Sequence, residues 1–261
     1  LSANDLSGNG SINFLPRQLH LENYKQVLQL KGLATAALVS VARTAIGTVC
    51  TVLASAFLGF MFTQEGMWKR KIWYRMLVVT MYFNAGLIPM FLTMQNLHLT
   101  NSFWVYIIPV IVQPFNIILV KTYIESIPAE LEESAQIDGA THMVIFRKII
   151  WPLSKPILAT IAIFGAVGHW NSFTDSLILM QSAPTLYTLQ HRLYIYLNTA
   201  SNLSALMESG GQVSDAVLKS ALSAKVIKYT ISMVTVIPIL VVYPFMQRYF
   251  EKGIMLGAVK G

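Results

Sequence analysis

Five long apolar runs constrain this chain more than any other feature in it. They are Leu33 to Phe62, Ile72 to Met94, Phe103 to Tyr123, Pro156 to Met180 and Val226 to Met246. A helix needs about 20 mostly apolar residues to cross a bilayer core, whereas a barrel strand needs about ten with strict alternation. The runs have helical length and do not alternate. The expected fold class is therefore an all-α integral membrane protein with five visible transmembrane helices. Only 12% of residues are charged, about half the share of a soluble domain, which leaves too little charge to wet a globular surface. The net charge of +7 would suggest nucleic acid in a soluble chain. Here Lys and Arg sit largely at the edges of the apolar runs, where they act as topology signals, and no nucleic-acid partner is expected. The single Cys50 lies in an apolar run and reads as a buried thiol.

Orientation follows from the cations in the short loops. Lys69, Arg70 and Lys71 follow the first run, and Gln95 to Ser102 after the second holds none. Lys121 lies at the end of the third run, Arg147, Lys148 and Lys155 between the third and fourth, and Arg248, Lys252 and Lys260 follow the fifth. The segments that carry these cations are expected on the cytoplasmic side, and Gln95 to Ser102 outside. Residues 1–32, an external N-terminal loop, and 181–225 are then expected outside, flanking a transmembrane domain over 33–261. No signal peptide is visible, so a sixth span ahead of Leu1 is expected to carry the N-terminal loop across.

The segment Glu125 to Pro156 is too polar to span and too patterned for a linker. Ser126 can cap a helix and Pro128 fits its first turn. Ala129 to Ile137 favour helix, with Glu130, Glu132 and Glu133 near its positive end. Asp138-Gly139 stops it, because Gly takes the left-handed cap conformation at little cost. Thr141 can cap a second helix to Ile150, with Val144, Ile145, Ile149 and Ile150 on an apolar side, Phe146 near its edge, and Arg147 and Lys148 on the polar side. Trp151-Pro152 is expected to end it at the membrane interface. Two short helices at a sharp turn make a knob for another protein, or an amphipathic hairpin that rests on lipid.

Glu133-Ser134-Ala135, then Gly139, Ile149 and Pro152, resemble the coupling (EAA) loop of binding-protein-dependent ABC importers. That motif runs Glu-Ala-Ala, three residues, Gly, nine residues, Ile, one residue, Leu-Pro. The spacing fits throughout, with Ser134 and Trp151 as mild departures. Asp138-Gly139-Ala140 also resembles the family's turn. Gly86-Leu87-Ile88-Pro89, Trp170-Asn171-Ser172-Phe173 and the tail Gly253 to Gly261 are similar to the carbohydrate branch, in particular to the smaller membrane subunit of the maltose-importer type. Within the branch the chain is most similar to subunits importing oligosaccharides such as alginate. The resemblance implies six spans and a multi-pass protein of the bacterial inner (cytoplasmic) membrane. It implies alternating access driven by two partner ATPase subunits, which hold ATP and Mg, so that this chain binds no cofactor. It also implies a homologous membrane subunit, an external solute-binding protein and a sugar or oligosaccharide. The implied ATPase-coupling residues are Glu133, Ser134, Ala135, Asp138, Gly139, Ala140, Phe146 and Pro152.

Arg43 and Asp175 fall inside apolar runs. Lipid exposure of such charges costs about 2.5–3.5 kcal/mol each, so they are expected to face a cavity or a partner charge. His169, Trp170, Asn171, Ser172 and Thr174 make the fourth run unusually polar. Aromatic and amide groups together suit sugars, which offer apolar ring faces and hydroxyl edges. Arg43, Asn84, Asn116, His169, Trp170, Asn171 and Asp175 are therefore candidates for a substrate pathway. Ion pairing, helix packing and interhelical hydrogen bonds are the alternatives. Gly86, Pro89, Pro109 and Pro114 interrupt the second and third runs, as in broken transporter helices.

No enzyme is expected. His20, His98, His142, His169 and His191 show no metal-ligand spacing, and no Ser/His/Asp set is suggested. Ser209-Gly210-Gly211-Gln212 echoes the signature motif of ABC ATPases, but no G-x-x-x-x-G-K-[ST] phosphate loop accompanies it. A self-sufficient secondary transporter or channel is the rival reading, and it predicts an inverted repeat that is not detected.

Overall fold

The computed structural model describes residues 32–208, 230, 232–240 and 244, with side-chain surroundings described only to 199 in the first stretch. The N-terminal loop expected to be external, about half of the fifth apolar run, the Ser209-Gly210-Gly211-Gln212 echo and the C-terminal tail lie outside the described residues. Every regular element among the described residues is helical. The described residues fall into two compact units, one from 32–40 with 172–240 and the other from 41–171 with 244.

The first apolar run is one uninterrupted helix, α1 (Leu33–Thr63). The others are not single helices, and the interruptions have identifiable causes. The second run divides into α2 (Arg70–Tyr82) and α3 (Leu87–Asn96). Pro89 cannot donate to Ala85, and its ring would strike that carbonyl. The chain uses the break to turn: Phe83 is extended, Asn84 Oδ1 accepts the Gly86 N–H at 2.9 Å, and Gly86 has φ 90°. The third run begins as two 3-10 turns, Phe103–Tyr106 and Ile108–Val110, and continues as α4 (Pro114–Ile124) after a 46° bend. Pro114 opens α4, and Gln113 before it is extended, as a residue preceding proline prefers.

The segment Glu125 to Pro156 forms α5 (Glu130–Ile137) and α6 (His142–Leu153). α7 (Lys155–Asn171) follows after a 78° bend at Ser154. The second compact unit holds these elements together with α2 to α4 and most of α1. Its core joins Ala56 and Phe60 of α1, Val120 and Ile124 of α4, Ile145 and Ile150 of α6, and Leu158 and Ile161 of α7. Gly59 lets α1 and α4 approach closely, since a Cβ there would lie 2.7 Å from Val120 Cγ1 and 3.2 Å from the Lys121 backbone nitrogen. α2 buries none of its residues; Ile72, Trp73, Met76 and Val79 are all exposed.

The fourth run does not continue past α7 as a single helix. It resumes as α8 (Thr174–Leu179), which belongs to the other compact unit together with α9 (Leu189–Glu208). Asn171 at the end of α7 and the following Ser172 carry short polar side chains that compete with helical hydrogen bonds.

Candidate functional site: a helical hairpin and a polar helix

α5 and α6 form the hairpin expected from sequence, with differences at its ends. Ser126 does not cap α5; its Oγ donates back to the Tyr123 carbonyl at 2.6 Å. The first turn of α5 instead contains Glu130, Glu132 and Glu133, with Glu132 and Glu133 N–H groups both donating to Ala129. The C-terminus behaves as expected. Gly139 has φ 79°, its N–H donates to Gln136, and the Ala140 N–H donates to Ala135, which makes a Schellman cap. Thr141 takes the extended cap conformation, but its side chain makes no cap bond.

Trp151-Pro152 does not end the second helix, contrary to expectation. The backbone widens into a π-turn over Phe146–Ile150, with Trp151 N–H bonded to Phe146, and continues helically to Leu153. Widening moves the Lys148 carbonyl away from the Pro152 ring, which would otherwise collide with it. Phe146 also differs from its expected place near an edge. It packs into α1, with ring centroids 5.8 Å from Phe57 and 5.3 Å from Phe60, and Trp151 meets it edge-on at 6.0 Å. The Trp at the position where the motif has Leu thus extends this aromatic anchor.

The hairpin has two sides. Ala135, Ala140, Phe146 and Trp151 pack against the core. Glu133, Ser134, Asp138, Gly139 and Pro152 are exposed, and Ile137 is 86% exposed. A Cβ on Gly139 would meet nothing within 4 Å among the described residues. Adjacent glutamates divide between the sides: Glu132 Oε1 accepts from Gln64 Nε2 at 2.7 Å, whereas Glu133 faces outward.

The polar candidates are scattered. In the second unit, Arg43 is 2% exposed, with its guanidinium 4.6 Å over the ring of the fully buried Tyr106. His169 is buried against α1, where a Cβ on Gly47 would come 2.4 Å from its Nε2. Asn116 is buried in α4, Trp170 is half-buried, and Asn171 is exposed at the end of α7. Asn84 is exposed and engaged in the turn that breaks the second run. In the first unit, Asp175 is half-buried, and its Oδ1 accepts from Ser172 Oγ at 3.2 Å and Ser176 N–H at 2.9 Å. That places the carboxylate in the first turn of α8, where the helix field favours it.

The hairpin's spacing, left-handed turn and outward acidic face call for comparison with known proteins. Residues 51–256 match the family described as binding-protein-dependent transport system inner membrane component. The chain belongs to that family. It is 34% identical over 247 residues to the polygalacturonan/rhamnogalacturonan transport system permease protein YtcP of Bacillus subtilis, covering 95% of this chain and 84% of that one. Protein LplC of the same organism is 32% identical over 251 residues, covering 96% and 82%. Among solved structures, a bacterial ABC transporter involved in the import of the acidic polysaccharide alginate superposes with a TM-score of 0.79 at 29% identity, covering 93% of this chain and 84% of that one.

One feature of this permease was not legible in sequence. In the first unit, Ser40, Ser176, Thr188 and His191 form a buried polar network. Ser176 Oγ and His191 Nδ1 lie 2.8 Å apart, Thr188 N–H donates to Ser176 Oγ, and Leu189 N–H donates to Ser40 Oγ. Burial pushes His191 below the usual histidine range, the Arg192 charge adds to this, and Asp175 opposes it. Ordinary serines and a lone histidine up to 151 positions apart carry no local pattern that would link them.

Proposed function

We propose that this permease is one of two homologous membrane subunits of an ATP-driven importer of sugars or oligosaccharides. It spans the inner membrane several times, with the loop 64–71 and the hairpin 125–156 on the cytoplasmic side. Two ATPase subunits hold ATP and Mg, and an external binding protein delivers the substrate. Relatives named for polygalacturonan, rhamnogalacturonan and alginate favour an acidic oligosaccharide. The apolar surfaces of α2 and α3 suit a bilayer or the second membrane subunit.

The observation that carries the coupling role is the hairpin's division into a buried anchor and an exposed ridge. Motion imposed on the ridge reaches the helices because Phe146, Ile145 and Ile150 lock the hairpin to α1, α4 and α7. Glu133 and Ile137 on the exposed side offer a carboxylate and an apolar contact to an ATPase groove. Such coupling biases two states and acts in both directions. The seven polar candidates, from Arg43 to Asp175, are proposed to line or brace the solute route.

The test is ATPase retention on the purified membrane complex, together with sugar-stimulated ATP hydrolysis. Gly139→Asp and Glu133→Lys should leave the spans folded while lowering both. Normal retention and normal stimulation in both variants would remove the hairpin as the coupling element.

A further inference from the structure

A small cavity of ≈ 140 Å³ opens between the end of α1, the start of α2 and the end of α4. It is lined by Phe62, Arg70, Lys71, Tyr74, Lys121 and Glu125. We propose that this cavity is a binding site for a phosphate group, supplied by an anionic phospholipid or by a soluble phosphate. Three cations and one carboxylate line it, an excess of two positive charges. Glu125 is engaged with Lys121 at 2.6 Å, an (i, i+4) pair whose carboxylate is half exposed. Lys121 also lies 4.8 Å over the Tyr74 ring. Arg70 Nη1 donates to the Thr63 carbonyl at 2.6 Å, which fixes the guanidinium and leaves its other N–H groups for a ligand. Lys71 is exposed and makes no ion pair among the described residues.

A phosphate matches this arrangement better than a carboxylate does. Its oxygens point in several directions, and the cations come from two different helices rather than from one fork. The rim supports a position at the membrane surface. Trp68 is 69% exposed with Lys69 4.5 Å over its ring, and Trp73 is exposed one turn away. Aromatic and cationic residues collect at headgroup level, and basic pockets between spans on the cytoplasmic side bind anionic headgroups. Placement in the cytoplasmic leaflet rests on the topology under Proposed function; the cavity's chemistry does not. The site also adjoins the hairpin, because Glu125 leads into α5 and Gln64 in the neighbouring loop bonds to Glu132.

The experiment uses the purified full transporter complex in nanodiscs of phosphatidylcholine, with and without phosphatidylglycerol. Retained lipid is counted by native mass spectrometry, and inorganic phosphate binding is measured separately. Wild type should retain phosphatidylglycerol in preference to phosphatidylcholine. Arg70→Gln with Lys71→Gln should weaken that retention about tenfold or more, and Glu125→Gln, which removes the opposing carboxylate, should strengthen it. Retention of both lipids unchanged in the double variant, with saturable inorganic phosphate binding lost from it, would assign the site to a soluble phosphate. Unchanged lipid retention together with unchanged or absent inorganic phosphate binding would overturn the proposal. Labelling of a Lys69→Cys variant from outside intact cells would reverse the topology while leaving the phosphate site intact, so the two failures are distinguishable.

Discussion

The inner and outer sides of the hairpin 125–156 are built from the same short stretch of chain but held by different physics. The inner side is fixed by contacts: Phe146 among Phe57, Phe60 and Trp151, and Ile145 and Ile150 fully or nearly fully buried. The outer side is fixed by backbone conformation: the Schellman cap at Gly139 presents Glu133, Ile137 and Asp138, all exposed among the described residues. Residues within one turn of each other should therefore respond to substitution in opposite ways. Inner changes should lower stability and carry function down with it. Outer side-chain changes, the positive-φ Gly139 apart, should lower function at nearly constant stability.

The largest stability effect is expected at Phe146. Phe146→Ala removes an aromatic ring from contact with three others and should cost about 3 kcal/mol. A shift in the detergent-solubilised unfolding midpoint would measure it, and an unchanged midpoint would erase the distinction between the sides. Gly59→Val should follow, at about 1–3 kcal/mol of overpacking, because its Cβ meets both Val120 and the α4 backbone. Gly139→Ala should cost about 1–2 kcal/mol through positive φ only. Its cost should not grow with side-chain size, since open space surrounds the position. A steep size dependence in the isolated chain would mean that something covers the turn. A smaller loss is expected at Gln64→Ala, about 1 kcal/mol for its bond to Glu132. Glu133→Gln should by contrast leave the midpoint unmoved while lowering ATPase retention, so the two neighbouring carboxylates test the division residue by residue.

Some of this was readable from the chain alone. The break in the second apolar run was signalled by Gly86 and Pro89, and the bend in the third by Pro109 and Pro114, because proline's missing N–H and fixed φ act locally. The break at the end of α7 was not anticipated: the fourth run reads as one span, whereas Asp175 is bonded within the first turn of a separate α8. The extension of α6 beyond Pro152 was also missed, since a π-turn accommodates the proline without any sequence mark.

The sequence by itself determined the helical, membrane-embedded class, because long apolar runs with so little charge have few other stable solutions in water or lipid. It also determined the hairpin turn, because positive φ at Gly139 is a local property. Only the tertiary structure decided which face of that hairpin is inner. Helical periodicity defines stripes, but which stripe becomes the anchor depends on what α1 presents from about 90 positions upstream. The same holds for Arg43, which sequence marked only as a charge needing company. Tyr106, 63 positions away, supplies it because the fold of the second unit brings that ring to within 4.6 Å of the guanidinium.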